Sequence, residues 1–128
     1  MSDTPDFDAQ QRTETAIREA VAATVGVTLH PRPLVLPGGA TADLDGVDAG
    51  PTVLVEVFAR RGRLKGPQLD KVARDALKLA TLGRAHPSAR LVIAFADADA
   101  ARSVTGGSWL AEALRTWNIE VLVVDVPS

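Results

Sequence analysis

The chain of 128 residues has no cysteine, no tyrosine, one methionine and two histidines. Without thiols it cannot form disulfides, thiolate zinc sites or cysteine nucleophiles. His30 and His86 each precede a proline and have no second histidine at ligand spacing, so a histidine metal cage is not expected. Any metal would be held by oxygen, which favours magnesium, manganese or calcium. Neither GxGxxG nor GxxxxGK[ST] occurs, and there is no GxSxG elbow, which argues against a dinucleotide fold, a P-loop and a serine hydrolase. No apolar run approaches the roughly 20 residues of a membrane helix. No charged-then-apolar signal pattern opens the chain, so a cytoplasmic protein without membrane contact is expected.

What is present is a folding sequence with segregated charge. The apolar content is 46%, with two Trp and three Phe. The length suits one domain that buries roughly two thirds of its unfolded surface. Residues 9–128 are expected to form that domain, and residues 1–8, polar and acidic around Pro5, read as a disordered tail. The formal charge is only -2, yet the segment from Arg60 to Arg90 carries nine Lys or Arg against Asp70 and Asp75. That segment is +7 and the remainder -9. Such asymmetry suggests an anionic partner, nucleic acid first, although a solvated helix face balanced by the acidic remainder is the plainer reading.

Periodicity orders the elements as α-β-β-β-α-β-α-β. Ile17, Val21 and Val25 recur at fourfold spacing in a first helix from about Asp8 to Gly26. Thr28 to Leu36, interrupted by Pro31 and Pro33, reads as an edge strand. A strand near Ala40 to Leu44, a hairpin loop at Asp45-Gly46 and Asp48-Ala49-Gly50, and the strong strand Thr52 to Ala59 complete a meander. A helix from about Pro67 to Leu82 crosses to a buried strand, Leu91 to Ala96. A further helix within Ala98 to Trp117 leads to a last strand, Ile119 to Val126. The expected fold is α/β, a mixed sheet flanked by helices.

Glu56 is the residue that needs an explanation. It sits within Val53-Leu54-Val55-Glu56-Val57-Phe58, where a carboxylate is costly to bury unless its charge is paired or used. The hairpin can bring it to Asp45, eleven residues earlier, and Glu14 or Glu19 of the first helix can complete an oxygen-ligand cluster. Plainer roles exist for each: Asp45 as a turn residue, Asp43 and Asp48 as solvated loop acids, Glu56 as the ion-pair partner of Lys71 or Arg60. Gln68 can simply satisfy the helix start, Lys71 can be a surface lysine, and the glycines before Trp109 a helix cap. Trp109 and Trp117 read as core or interface anchors.

The element order, the aspartate in a DG step, and the glutamate of the next strand followed by a helix with an early glutamine resemble the PD-(D/E)XK restriction-endonuclease-like superfamily. The resemblance covers about residues 10 to 96. More narrowly, EVFARRGRLKGPQLDKV, from Glu56 to Val72, with WNIEV, from Trp117 to Val121, resembles a group of small actinobacterial proteins. The superfamily pattern implies magnesium or manganese held by Asp45 and Glu56, and a lysine two positions after the glutamate that orients or activates water. Phe58 stands there instead, so the cation would come from elsewhere: Arg60, Lys65 or, best, Lys71, near Gln68. Arg60, Arg61, Arg63, Lys65 and Lys78 would then hold the phosphate backbone. Two functions follow, a small metal-dependent nuclease acting through Asp45, Glu56, Gln68 and Lys71, or a non-catalytic module of the same fold. That module would engage nucleic acid, a protein partner or a second copy.

Overall fold

The computed structural model describes residues 5–127, with side chains from Asp8 onward. The elements are α1 (Pro5–Val25), β1 (His30–Val35), β2 (Thr41–Val47), β3 (Val53–Phe58), α2 (Gly66–Ala85), β4 (Arg90–Phe95), α3 (Ala98–Arg102), α4 (Trp109–Thr116) and β5 (Ile119–Val123). They form one sheet in the order β1-β2-β3-β4-β5. β1, β2 and β3 are antiparallel neighbours, while β4 and β5 add in parallel. The expected α/β fold, a mixed five-stranded sheet flanked by helices, is the one found.

Strand alternation divides the core between the two sheet faces. Val53, Val55 and Val57 of β3 pack with Ile17 and Val21 of α1, both fully buried. Leu54 and Phe58 face the other way, into the core cluster that also holds Val72, Leu79 and Leu82 of α2 and Leu110 and Leu114 of α4. Glu56 lies on this second face. α1 ends where Gly26 takes φ +84, a left-handed value that glycine adopts freely, with its N–H on the Ala22 carbonyl.

Several boundaries differ from the sequence reading. α1 begins at Pro5, inside the stretch expected as a tail, and residues 1–4 lie outside the described ones. The single helix expected before the last strand is two, α3 and α4, because Thr105-Gly106-Gly107 interrupts it and Ser108 caps α4 by accepting the Ala111 N–H. β5 stops at Val123, short of Val126. Trp109 and Trp117 are not in the core: both are exposed.

The hairpin turn is displaced as well. β2 runs through Asp45-Gly46 to Val47, so Asp45 is a strand residue, and the turn belongs to Asp48. Asp48 is buried, not a solvated loop acid. Its carboxylate accepts the Thr52 N–H at 2.6 Å, the Val53 N–H at 2.9 Å and the Thr52 hydroxyl. Burial pushes its pKa up, but the Thr52 and Val53 hydrogen bonds outweigh that and leave it below the ordinary aspartate value. The stability it contributes is therefore present above the unfolded aspartate pKa and lost as the pH falls below it. Asp48→Ala is expected to cost about 2 kcal/mol at pH 7, read from urea midpoints, because it strands buried donors. A loss under about 0.5 kcal/mol would show that the turn holds itself.

Candidate functional site

A bulge sets the position of Asp45. His30 pairs with Val47 and Arg32 with Leu44, so two residues of β2, Asp45 and Gly46, stand opposite Pro31 alone. Proline has no N–H for the ladder, and the extra residue breaks the alternation along β2. On its other side β2 pairs with β3 only at Gly46 to Val55 and Val47 to Leu54. Beyond that the strands part, and carboxylates replace the ladder. The Asp45 N–H donates to Glu56 Oε1 at 3.1 Å, and the Val57 N–H donates to Asp45 Oδ2 at 2.9 Å. The fork thus joins the two acids through backbone amides.

Glu56 is 2% exposed and has its charge answered from α2. Lys78 Nζ lies 2.6 Å from Glu56 Oε2 and also donates to the Asp43 carbonyl at 2.7 Å. The partner is therefore neither Lys71 nor Arg60. Lys78, expected among the phosphate-binding cations, is turned onto the sheet. Burial pushes the Glu56 pKa up to about 7, against the hydrogen bond from Lys78; the charges of Asp45 and Asp75 push the same way as burial.

Lys71 stands one helical turn from Gln68, and its ammonium is 5.5 Å from the centre of the Phe58 ring. It is anchored by Asp75 at 2.9 Å, four residues on, whose side chain is buried. Burial pulls the Lys71 pKa down, but the hydrogen bond and charge of Asp75, with Glu56 and Asp45 behind it, raise it overall. Lys71 is thus a cation at neutral pH, suited to holding a phosphate and unsuited to taking a proton from water. Gln68 Oε1 accepts the Lys65 N–H at 2.8 Å, closing the first turn of α2. Gln68 and Lys71 nevertheless line a cleft of about 350 Å³ with Phe58, Arg60, Gln10 and Glu14. Glu14 reaches this cleft, whereas Glu19 lines other hollows, along α1.

The basic loop is less free than its composition suggests. Arg61 donates to the carbonyls of Ala96 and Val126, tying the loop to the chain's last segment. Arg63 lines a different hollow, with Arg102 and Ser108. Arg60 and Lys65 are exposed, Arg60 at the cleft. The Glu56–Lys78 pair and the role of Asp75 escaped sequence reading. One signal was available: Lys71, Asp75 and Lys78 recur at intervals of four and three, so they share one side of α2.

Among the described residues no group of three or more His, Cys, Asp or Glu side chains is placed to hold a metal ion. No helix among them is long and apolar enough to cross a membrane. No protein-family profile matches the chain, and no curated protein sequence does. A solved structure described as "Structure of EndoMS in apo form" is similar over 96% of this chain, with 16% identity and a TM-score of 0.43. The chain spans about half the length of that protein, 46%.

Proposed function

We propose that the chain is a small metal-dependent phosphodiester hydrolase of nuclease type, acting on nucleic acid, in keeping with the PD-(D/E)XK resemblance. The observation that supports this is the fork of β2 and β3, where two carboxylates at the motif positions, Asp45 and Glu56, are locked together by backbone amides. Two rigid oxygen donors suit a single hard divalent ion completed by water. Magnesium or manganese held by Asp45 and Glu56 would bring positive charge to a phosphate and acidify a water molecule. Lys78 holds Glu56 Oε2, so the ion must compete with its ammonium. In this reading Lys71 and Gln68 face the scissile phosphate and Arg60 and Lys65 its neighbours.

The non-catalytic alternative is favoured by two observations. Glu56 is already paired, and the superfamily's lysine position is filled by Phe58, which packs on Phe95 at 5.5 Å between ring centres. Phe58 is buried, so Phe58→Lys would place an ammonium in the core and is a poor test of activity.

Calorimetric titration with manganese separates the readings. The wild type is expected to bind one ion, and Glu56→Gln to bind it at least tenfold more weakly. Metal-dependent cleavage of single- or double-stranded DNA or RNA should vanish in the same variant. Equal binding by both proteins, or no cleavage of any of these substrates by the wild type, would leave the non-catalytic module as the better account.

A further inference from the structure

The oxygen that Glu56 would offer a metal ion is already taken. Glu56 Oε1 and Asp45 Oδ2 accept backbone N–H groups, which fixes both acids from the strand side and leaves Glu56 Oε2 turned towards α2. There it meets Lys78 Nζ at 2.6 Å. On the footing that Asp45 and Glu56 are the metal ligands, we propose that Lys78 is an internal counter-ion guarding their site. Its ammonium stands where the ion would stand at Glu56, and it withdraws to solvent when a divalent ion is held.

Position, charge and a way out support exchange over a fixed pair. Lys78 reaches from the helix to the sheet, and its second hydrogen bond, to the Asp43 carbonyl at 2.7 Å, is one that water can replace. Its side chain is 31% exposed against 3% for Glu56, so the ammonium has a path to solvent that the carboxylate lacks. A lysine ammonium hydrates strongly and rides on a flexible four-carbon stem, which lets the same residue hold either position. Lys71 is not placed for this, because it pairs with Asp75 on its own helix. Asp45, Glu56 and Asp75 together with Lys71 and Lys78 form a group with one formal negative charge. Exchanging the Lys78 ammonium for a divalent ion makes the group neutral, whereas an ion added beside Lys78 would make it positive. Two cations at one buried oxygen also repel each other strongly. The site therefore loads only in the fraction of molecules whose Lys78 is withdrawn, and its apparent affinity falls by that fraction. Such a site stays shut when the ion is scarce, with its carboxylates still compensated.

Lys65, Lys71 and Lys78 are the chain's only lysines, so nuclear magnetic resonance of the isotope-labelled lysine ε-methylenes gives three signals, each assigned by replacing one lysine with arginine. Magnesium, which is diamagnetic, is titrated into the wild type at constant ionic strength while these signals and the Asp45 and Val57 amide protons are followed. The two amides are bonded to the carboxylates, so they report an ion on Asp45 and Glu56 whatever Lys78 does. Both amides should shift and saturate, and in step the Lys78 signal should move onto the position of exposed Lys65 while Lys71 stays in place. Glu56→Gln, an uncharged replacement of the same shape, should abolish both changes. If the amides saturate while Lys78 keeps its signal, the ion binds beside the lysine and the counter-ion role is overturned with the metal reading intact. A Lys78 signal that already lies at the Lys65 position without magnesium overturns the role too, as does a Lys78 shift that persists in Glu56→Gln. If neither amide moves, Asp45 and Glu56 hold no ion, and the metal reading falls together with the role built on it.

Discussion

Lys78→Met is expected to lower folding stability by about 1.5 kcal/mol at pH 8, because Glu56 loses its counter-charge and the variant must hold the group protonated about one pH unit above its folded pKa, at about 1.4 kcal/mol per unit. Lys78 reaches Glu56 Oε2 at 2.6 Å from partly exposed ground, so its loss exposes no comparable orphan on the helix. The pH dependence follows from the raised Glu56 pKa. Below about pH 4.5 the carboxyl is protonated in both folded and unfolded chains, and its contribution to stability is intact. That contribution is lost as the pH climbs through about 7, where the folded protein must ionise the group in the core. Without Lys78 the ionisation is costlier still, so the gap between variant and wild type should be small at pH 4.5 and widest at pH 8. Glu56→Gln in the Lys78→Met background should restore most of the loss, which completes a double-mutant cycle. Urea midpoints for the four proteins at both pH values decide the matter. A Lys78→Met cost below about 0.5 kcal/mol at pH 8 would mean that Glu56 reaches water without its partner.

Lys71→Ala is expected to lower metal-dependent cleavage by about 10² to 10³-fold, the usual loss when a charge-stabilising donor is removed. It also leaves Asp75 buried without its partner, so an effect on activity alone would be ambiguous. Lys71→Arg resolves the ambiguity. Arginine keeps the charge and can still pair with Asp75, but it cannot give up a proton. Since Asp75, Glu56 and Asp45 hold Lys71 protonated, its role in the proposed nuclease would be electrostatic, and Lys71→Arg should then retain cleavage within about tenfold of the wild type. Thermal melts should show Lys71→Ala destabilised and Lys71→Arg close to the wild type. If both variants lose cleavage equally while Lys71→Arg folds normally, Lys71 acts by proton transfer and the electrostatic role is wrong.

The sequence by itself determined the α/β class, the succession of the five strands and the antiparallel meander, because these rest on local signals. Val53 to Phe58 is a continuous apolar run, Pro31 and Pro33 confine the first strand to an edge, and Ile17 and Val21 share one helical stripe. It also singled out Glu56, since a carboxylate in such a strand conflicts with its neighbours. Tertiary structure alone decided what Glu56 meets. Lys71, Lys78, Arg60 and Arg61 all lay within reach by sequence, and only the packing of α2 on the sheet directs Lys78 onto Glu56 and leaves Lys71 over Phe58. The strand placement of Asp45 was missed for a related reason: Asp-Gly signals a turn locally, yet the bulge opposite Pro31 keeps it in the strand. Asp48 became the buried turn acid because its hydrogen bonds run to Thr52 and Val53 across the hairpin. The exposure of Trp109 and Trp117 is likewise a tertiary outcome. An apolar stripe states that a face wants covering, and only the arrangement of α2 and α4 shows that, among the described residues, both indoles stay exposed.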